Sequence, residues 1–407
     1  MAEKKRKGLE LYFPPAIAAK RLKSADTPTA SEESKNKDEL DSVPTSAELL
    51  DLRALLDLSE VNTEQDISTR LDRIANLLLR EVRLVLKRKD ATNVEFEILE
   101  AEFYLQIGDR HEDPFTHGSE EQRYSGCWYF HRAPRFSKDS HRSLTSTAEY
   151  RDGSRKGMDL TFGGPALPDK AEGAGNDAAA ASSDNRLLLG GVLLRTIRQV
   201  ENGKITSGPS LLVDQILSFS GASGIQELVQ DSWKNDISAF NSVIADGRTS
   251  CLFVKPIQPN VKASSPIYFS PRIGLDLSHP GTTSPRSLPL HPRIRFLPKR
   301  YRFFVHPELL VKNGRPQTFL GVLHSLIAAG KDDEQDQALK KASLSRDIAK
   351  AMGIKEATSS KYLGDYRAGR AAGAAGLEAF IGPRGKGAAS SPATYLKMMG
   401  AISAIQT

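Results

Sequence analysis

The chain has 407 residues, with 26% charged, 39% hydrophobic and a formal charge of +6 at neutral pH. Mixed, mildly basic charge of this kind permits a polyanionic partner without demanding one. Cys127 and Cys251 stand far apart without a CxxC spacing, which excludes a disulfide framework or thiolate zinc cluster and points to a reducing compartment.

In chain order, residues 1 to about 45 are rich in Lys, Glu, Ser, Pro and Thr and poor in large apolar residues, so a disordered basic tail is expected. Its opening, MAEKKRKGLELYF, lacks the apolar core of a signal peptide, and no apolar run of the chain approaches the roughly 18 residues of a membrane span. A soluble intracellular protein with no membrane partner is the expectation. EKKRK and AKRLK are either nuclear-import signals, which would place the chain in the nucleus, or simply solvating charge. Arg6, Leu9, Tyr12 and Phe13 resemble a sliding-clamp-binding peptide, with Arg6 where such peptides carry glutamine. The same spacing also arises by accident.

From SAELLDLRALLDL the pattern is helical, and ISTRLDRIANLLLREVRLVL extends it through Leu71, Ile74, Leu77 and Leu78 at three- and four-residue steps. These helices are expected to cover a sheet. Strands are predicted at VEFEILEAEFYL, MDLTFGG, GGVLLRTIRQV, TSCLFVKPI, IYFSPRIGLDL and RYRFFVH, giving a mixed α+β domain over 46–306. Residues 165–185 and 278–292 read as insertions. Beyond residue 306 a helical, alanine-rich extension follows to 407, grading into Gly/Ala repeats from Arg367.

Alternation in VEFEILEAEFYL puts Phe96, Ile98, Glu100, Glu102 and Tyr104 on one face of the strand. Two carboxylates beside an aromatic have two explanations: a strand running out to a solvated sheet edge, or a partly buried carboxylate with raised proton affinity that activates water.

EFYL followed by DPFTH resembles the Glu-Ala-Tyr-Leu and Asp-x-x-x-His blocks of the alkyladenine (3-methyladenine) DNA glycosylases. KGMDLTFGG, GGVLLRTI and SGPSLLVDQIL resemble their next three blocks, and PRIGLDL and RYRFFV their closing strands, in the same order over roughly 65–306. The resemblance implies a single core with a curved, mainly antiparallel sheet and surrounding helices. It also implies a monomer that hydrolyses the N-glycosidic bond of a damaged purine in DNA, without metal or cofactor. Such enzymes turn the target nucleotide out of the duplex. Carried over by position, Glu102 is the general base, with Glu100 as fallback; Tyr104 and His117 form part of the wall against the extruded base; and Arg195 positions DNA. The sequence departs from the family at three places: Lys156 stands at the wedge tyrosine, Gly153 at a stacking tyrosine, and Gly163 at the asparagine that helps reject guanine. Either Trp128, Tyr129 and Tyr150 substitute for the missing aromatics or the substrate has changed; Cys-Trp-Tyr-Phe at 127–130 also fits plain core packing.

YRDGSRKG (150–157) and HPRIRFLPKRYRFF (291–304) interleave cations with aromatics, as a surface tracking a sugar-phosphate backbone does. Strand alternation puts Arg293 and Arg295 opposite Ile294 and Phe296. Arg293, Arg295, Lys299, Arg300 and Arg302, with Lys156, are the candidate phosphate contacts; a solvated edge strand gives the same pattern. DRHEDPFTH has no recognised metal-ligand spacing, and neither GxxxxGK[ST] nor GxGxxG occurs. Ser207 and Pro209 of SGPS fit a helix start. LSRDIAKAMGIKEATSSKYLGDY (344–366) resembles a helix-turn-helix, with Ala349, a turn at Gly353, and Ile348, Met352, Ile354 and Tyr362 as a small core. Ser359 occupies a position that is normally apolar, so an ordinary helical hairpin stays open. Three readings of function remain: a glycosylase, a non-catalytic module on the same scaffold that recognises distorted nucleic acid, and a structural protein whose C-terminal helices recruit partners.

Overall fold

The computed structural model describes residues 46–134, 146–166, 188–245, 247–257, 265–310, 312–328 and 335–406. The expected tail, the clamp-like Leu9, Tyr12 and Phe13, and nearly all of the 165–185 insertion lie outside them. Residues 44–407 make one compact unit.

Two helices, α1 (Ser46–Leu55) and α2 (Glu64–Asn76), lead into the sheet. The Thr63 hydroxyl caps α2 by accepting from the Asp66 amide, and Ile67, Leu71 and Ile74 line its buried face. The strands that follow are β1 (Val82–Arg88), β2 (Ala91–Ile107), β3 (His111–Glu112), β4 (Trp128–Phe130), β5 (Arg132–Pro134), β6 (Ser146–Tyr150), β7 (Met158–Thr161), β8 (Leu188–Gln199) and β9 (Ile205–Ser207). Next come α3 (Pro209–Ser220), the single turn α4 (Ile225–Glu227), β10 (Ser250–Pro256), β11 (Tyr268–Ser270), α5 (Pro292–Phe296) and β12 (Arg302–Phe304). The chain ends in α6 (Arg315–Ala328), α7 (Gln335–Lys340), α8 (Leu344–Met352), α9 (Glu356–Leu377) and α10 (Pro392–Gln406).

The fold is α+β, with a curled antiparallel half-barrel in the order β10-β1-β2-β8-β7-β4. β12 pairs with β2 at Glu100–Glu102, and β11 adds outside β12. The long β2–β8 pair forms the spine, and its register shifts on either side of Glu100 bend the two strands. One apolar cluster joins the sheet to α1, α2 and α3; a second joins α6, α8, α9 and α10 to Leu277, Ile294 and Leu297. No described helix is long and apolar enough to cross a membrane.

Two sequence expectations are corrected. The helix read through residue 86 stops at Asn76, a wide turn takes 77–81, and Val82 opens β1. Val-Arg-Leu-Val-Leu is paired by β10 on one side and β2 on the other, and Arg83 meets Glu97 at 2.8 Å. Pairing on both flanks overrides a leucine spacing that also fits a helix. The alternation read across Arg293–Phe296 is a helical turn, because Pro292 occupies the first turn of α5 and the His291 ring accepts from the Arg293 amide, and the strand expected over 300–306 spans Arg302–Phe304. The Gly/Ala run is helical as expected, apart from a break at Gly373. A Cβ on Gly369 would lie 2.0 Å from the Lys397 carbonyl oxygen, and one on Gly400 2.1 Å from that of Tyr366, so these glycines let α9 and α10 touch backbone to backbone.

Candidate functional site

Cross-strand partners in an antiparallel ladder share a face. Glu102 on β2 is opposite Arg302 on β12 and Leu193 on β8, and Leu193 is opposite Asp159 on β7, which pairs with Tyr129 on β4. One row across the half-barrel therefore carries Arg302, Glu102, Asp159 and Tyr129. Glu100 and Tyr104 flank Glu102 on the same face. Arg195 is the residue left over where Thr196 pairs with Glu100 and Leu194 with Ala101, and the bulge aims its guanidinium at both carboxylates.

Glu100 and Glu102 are 1% and 0% exposed. Glu102 Oε1 accepts from the Ile273 amide at 2.7 Å, and Oε2 accepts from Tyr104 OH at 2.9 Å and Arg195 Nη1 at 3.2 Å. Glu100 Oε1 accepts from Arg302 Nε at 2.6 Å and Arg195 Nε at 3.2 Å, and the Thr196 hydroxyl donates to Oε2. Burial alone raises the Glu100 pKa, but Arg302, Arg195 and Thr196 outweigh it and hold it below the ordinary carboxylate value. Arg302 also donates to Ser270 Oγ and, across to α6, to Thr318 Oγ1, each at 3.0 Å. A chain of hydrogen bonds thus runs Thr318–Arg302–Glu100–Arg195–Glu102. Beside it Arg272, fully buried, grips Asp113 with both terminal nitrogens and lies 4.5 Å over the Tyr104 ring. Burial and the Glu102 charge push the Tyr104 phenol well above its usual pKa, so it stays a neutral donor.

The second half of the face is built on β7 and β4. His131 Nε2 lies 2.9 Å from Asp159 Oδ1, and the His117 ring lies 4.8 Å from that of His131. Burial, then the His131 and Arg151 charges, lower His117 to about 3, so it is neutral at physiological pH. Tyr129 and Arg151 also line a neighbouring cleft of about 910 Å³ with Tyr150 and Lys156.

Glu102, Glu100, Tyr104 and Arg195 are brought together, whereas His117 belongs to the Asp159–His131 group. Several predicted phosphate contacts are corrected. Arg302 is 0% exposed and Arg195 7%, and both spend their donors on buried carboxylates. Lys156 is 2.6 Å from Asp214 on α3, so a carboxylate already neutralises it. Arg293 is half-buried over Phe115, and Lys299 is held by Glu64. Arg295 and Arg300 are exposed. Trp128 and Phe130 pack in the main core, with Trp128 Nε1 donating to the Leu252 carbonyl. Both also line the neighbouring cleft with Tyr129 and Tyr150, and Arg132 lies 3.7 Å over the Tyr150 ring. Asp159, His131, Arg272 and Asp113 were missed. Asp159 had a signal, since a lone carboxylate in MDLT is the same anomaly as Glu102; Arg272 in SPRIG had none.

No family model matches the chain. Over 221 residues, 52% of its length, the chain is 27% identical to "Uncharacterized protein L759" of Acanthamoeba polyphaga mimivirus, of which the match covers 83%.

Proposed function

We propose that this protein hydrolyses the N-glycosidic bond of a damaged purine turned out of DNA, with Glu102 activating the water. The observation that carries this reading is the Glu102 carboxylate on β2, fixed by Arg195, Tyr104 and the Ile273 amide. An ionised carboxylate has about four lone-pair sites. Three are taken here, which leaves one for a water proton. In the reaction the water oxygen bonds to C1′, its proton passes to Glu102, and the electrons of the breaking C1′–N bond leave with the base. Positive charge developing at C1′ is favoured by the same carboxylate. The order of the sequence blocks around Glu102, Tyr104, His117 and Arg195 supports the same assignment. In this conformation Glu102 touches no solvent, so water reaches it only when neighbouring side chains shift, half-buried Tyr104 first among them.

That closure favours a second reading, in which the scaffold recognises distorted nucleic acid without cleaving it. Lys156 and Gly153 at the wedge and stacking positions fit this reading as well. Incubation with duplexes and single strands carrying hypoxanthine, ethenoadenine or 3-methyladenine, followed by alkali, separates the two. Strand scission at one of these lesions is the expected result. Lesion binding without scission on all three supports the module instead.

A further inference from the structure

We propose that α8 and α9 form a second nucleic-acid contact, separate from the carboxylate site, in which the first half of α9 enters the major groove of duplex DNA. α8 ends at Gly353, which adopts φ 61° and ψ 31° while its amide donates back to Ala349 and Lys350; α9 restarts at Glu356. The left-handed position turns the chain between the two helices, and glycine takes it without strain. Ile348, Ala349, Met352, Tyr362 and Leu363 are buried between the two helices, and Tyr362 meets Phe319 of α6 edge-on at 5.5 Å. Phe319 belongs to the same apolar cluster as α10, so the unit is anchored on a packed support.

The second half of α9 is covered by α10 through Gly369 and Gly400. Its first half is not covered: Ala357, Ser360, Lys361 and Gly364 are exposed at the i, i+3, i+4, i+7 spacing of one helix face. Three of those four side chains are small, so the backbone can approach a base edge closely. Lys355, at the start of α9, and Arg346 and Lys350, four residues apart on α8, are exposed as well. Residues 340–367 carry seven cations (Lys340, Lys341, Arg346, Lys350, Lys355, Lys361 and Arg367) against three carboxylates (Asp347, Glu356 and Asp365), in a chain whose whole excess is +6. An excess of about four positive charges thus falls on α8, its flanks and the first half of α9, with Lys361 paired to Asp365 at 2.9 Å. The major groove of B-form DNA, about 12 Å wide, admits such a helix and surrounds it with phosphates, whereas the deep, narrow groove of duplex RNA does not.

The test uses the full chain and a lesion-free DNA duplex of roughly two turns, about 21 base pairs, read by fluorescence anisotropy across a salt series. A Cβ at Gly364 meets nothing within 4 Å, so Gly364→Glu removes a helix glycine without a clash and sets a negative charge on the exposed face. We expect tenfold weaker binding or worse for Gly364→Glu, and unchanged binding for Ala371→Glu on the exposed surface of the same helix. Lys350→Ala/Lys355→Ala should flatten the salt dependence by about 0.9 in slope for each lost phosphate contact. Wild-type affinity in Gly364→Glu overturns the proposal, as does equal competition by an RNA duplex or a wild-type chain that binds no lesion-free duplex at low salt. The duplex carries no lesion and the readout needs no base release, so failure of the hydrolytic reading leaves this result standing.

Discussion

At the scale of single residues, Arg302 separates two physical accounts. As a phosphate contact on the surface, its loss costs affinity and little stability. Buried against Glu100, Ser270 and Thr318, its loss leaves a carboxylate and two hydroxyls short of a donor. Breaking a buried pair from one side costs about 3–5 kcal/mol. Arg302→Met should therefore lower the urea midpoint sharply, and the folded fraction should bind DNA as wild type does. A stable variant with weakened DNA binding returns Arg302 to the surface. The sequence made the anomaly of Glu100 and Glu102 visible, because charge inside an apolar alternation asks for a partner. It did not reveal the partners, since Arg195, Ile273 and Arg302 stand roughly a hundred to two hundred positions away and only the sheet brings them to β2.

Secondary structure was legible where one period dominated and the segment was long. β2 is legible from its alternation and β8 from a long apolar run, and α1 needs only its leucines. β1 was lost because Leu77, Leu78, Leu84 and Leu86 satisfy a helical step as well as a strand step, and its two neighbours decide between them. α5 was misread because five residues give no helical period, while its buried Ile294 and Phe296 also fit alternation. The glycines of α9 and α10 were read from composition, which is blind to their use in close helix packing. Gly400→Val tests that use, because its side chain would meet the Tyr366 carbonyl. Overpacking of this kind costs about 1–3 kcal/mol, so a clear drop in melting temperature is expected, and a neutral result would mean that α9 and α10 do not touch there.

For the molecule as a whole, the polar chain from Thr318 to Glu102 ties the sheet to the C-terminal helices, so the two apolar clusters should unfold in one transition. Its pH dependence follows from groups whose folded pKa values are depressed. Burial lowers His111 to about 4, His117 to about 3 and His324 to about 4, from 6.5. Between those values and 6.5 the unfolded chain binds protons that the folded one does not, so these groups contribute stability that is present above pH 6.5 and lost as pH falls toward 4. Glu100, lowered against its burial by Arg302 and Arg195, contributes stability present above 4.5 and lost below it. Urea midpoints should fall steadily from pH 7 to pH 4, with a shallower fall in His324→Gln; a flat profile contradicts lowered pKa values at these histidines. Single-turnover base release on the best-cleaved lesion compares wild type and Glu102→Gln directly. The substitution keeps the shape and the Ile273 contact while removing the base, so release should slow by on the order of 10²- to 10⁴-fold with lesion binding retained. Equal rates in the two proteins would contradict the account.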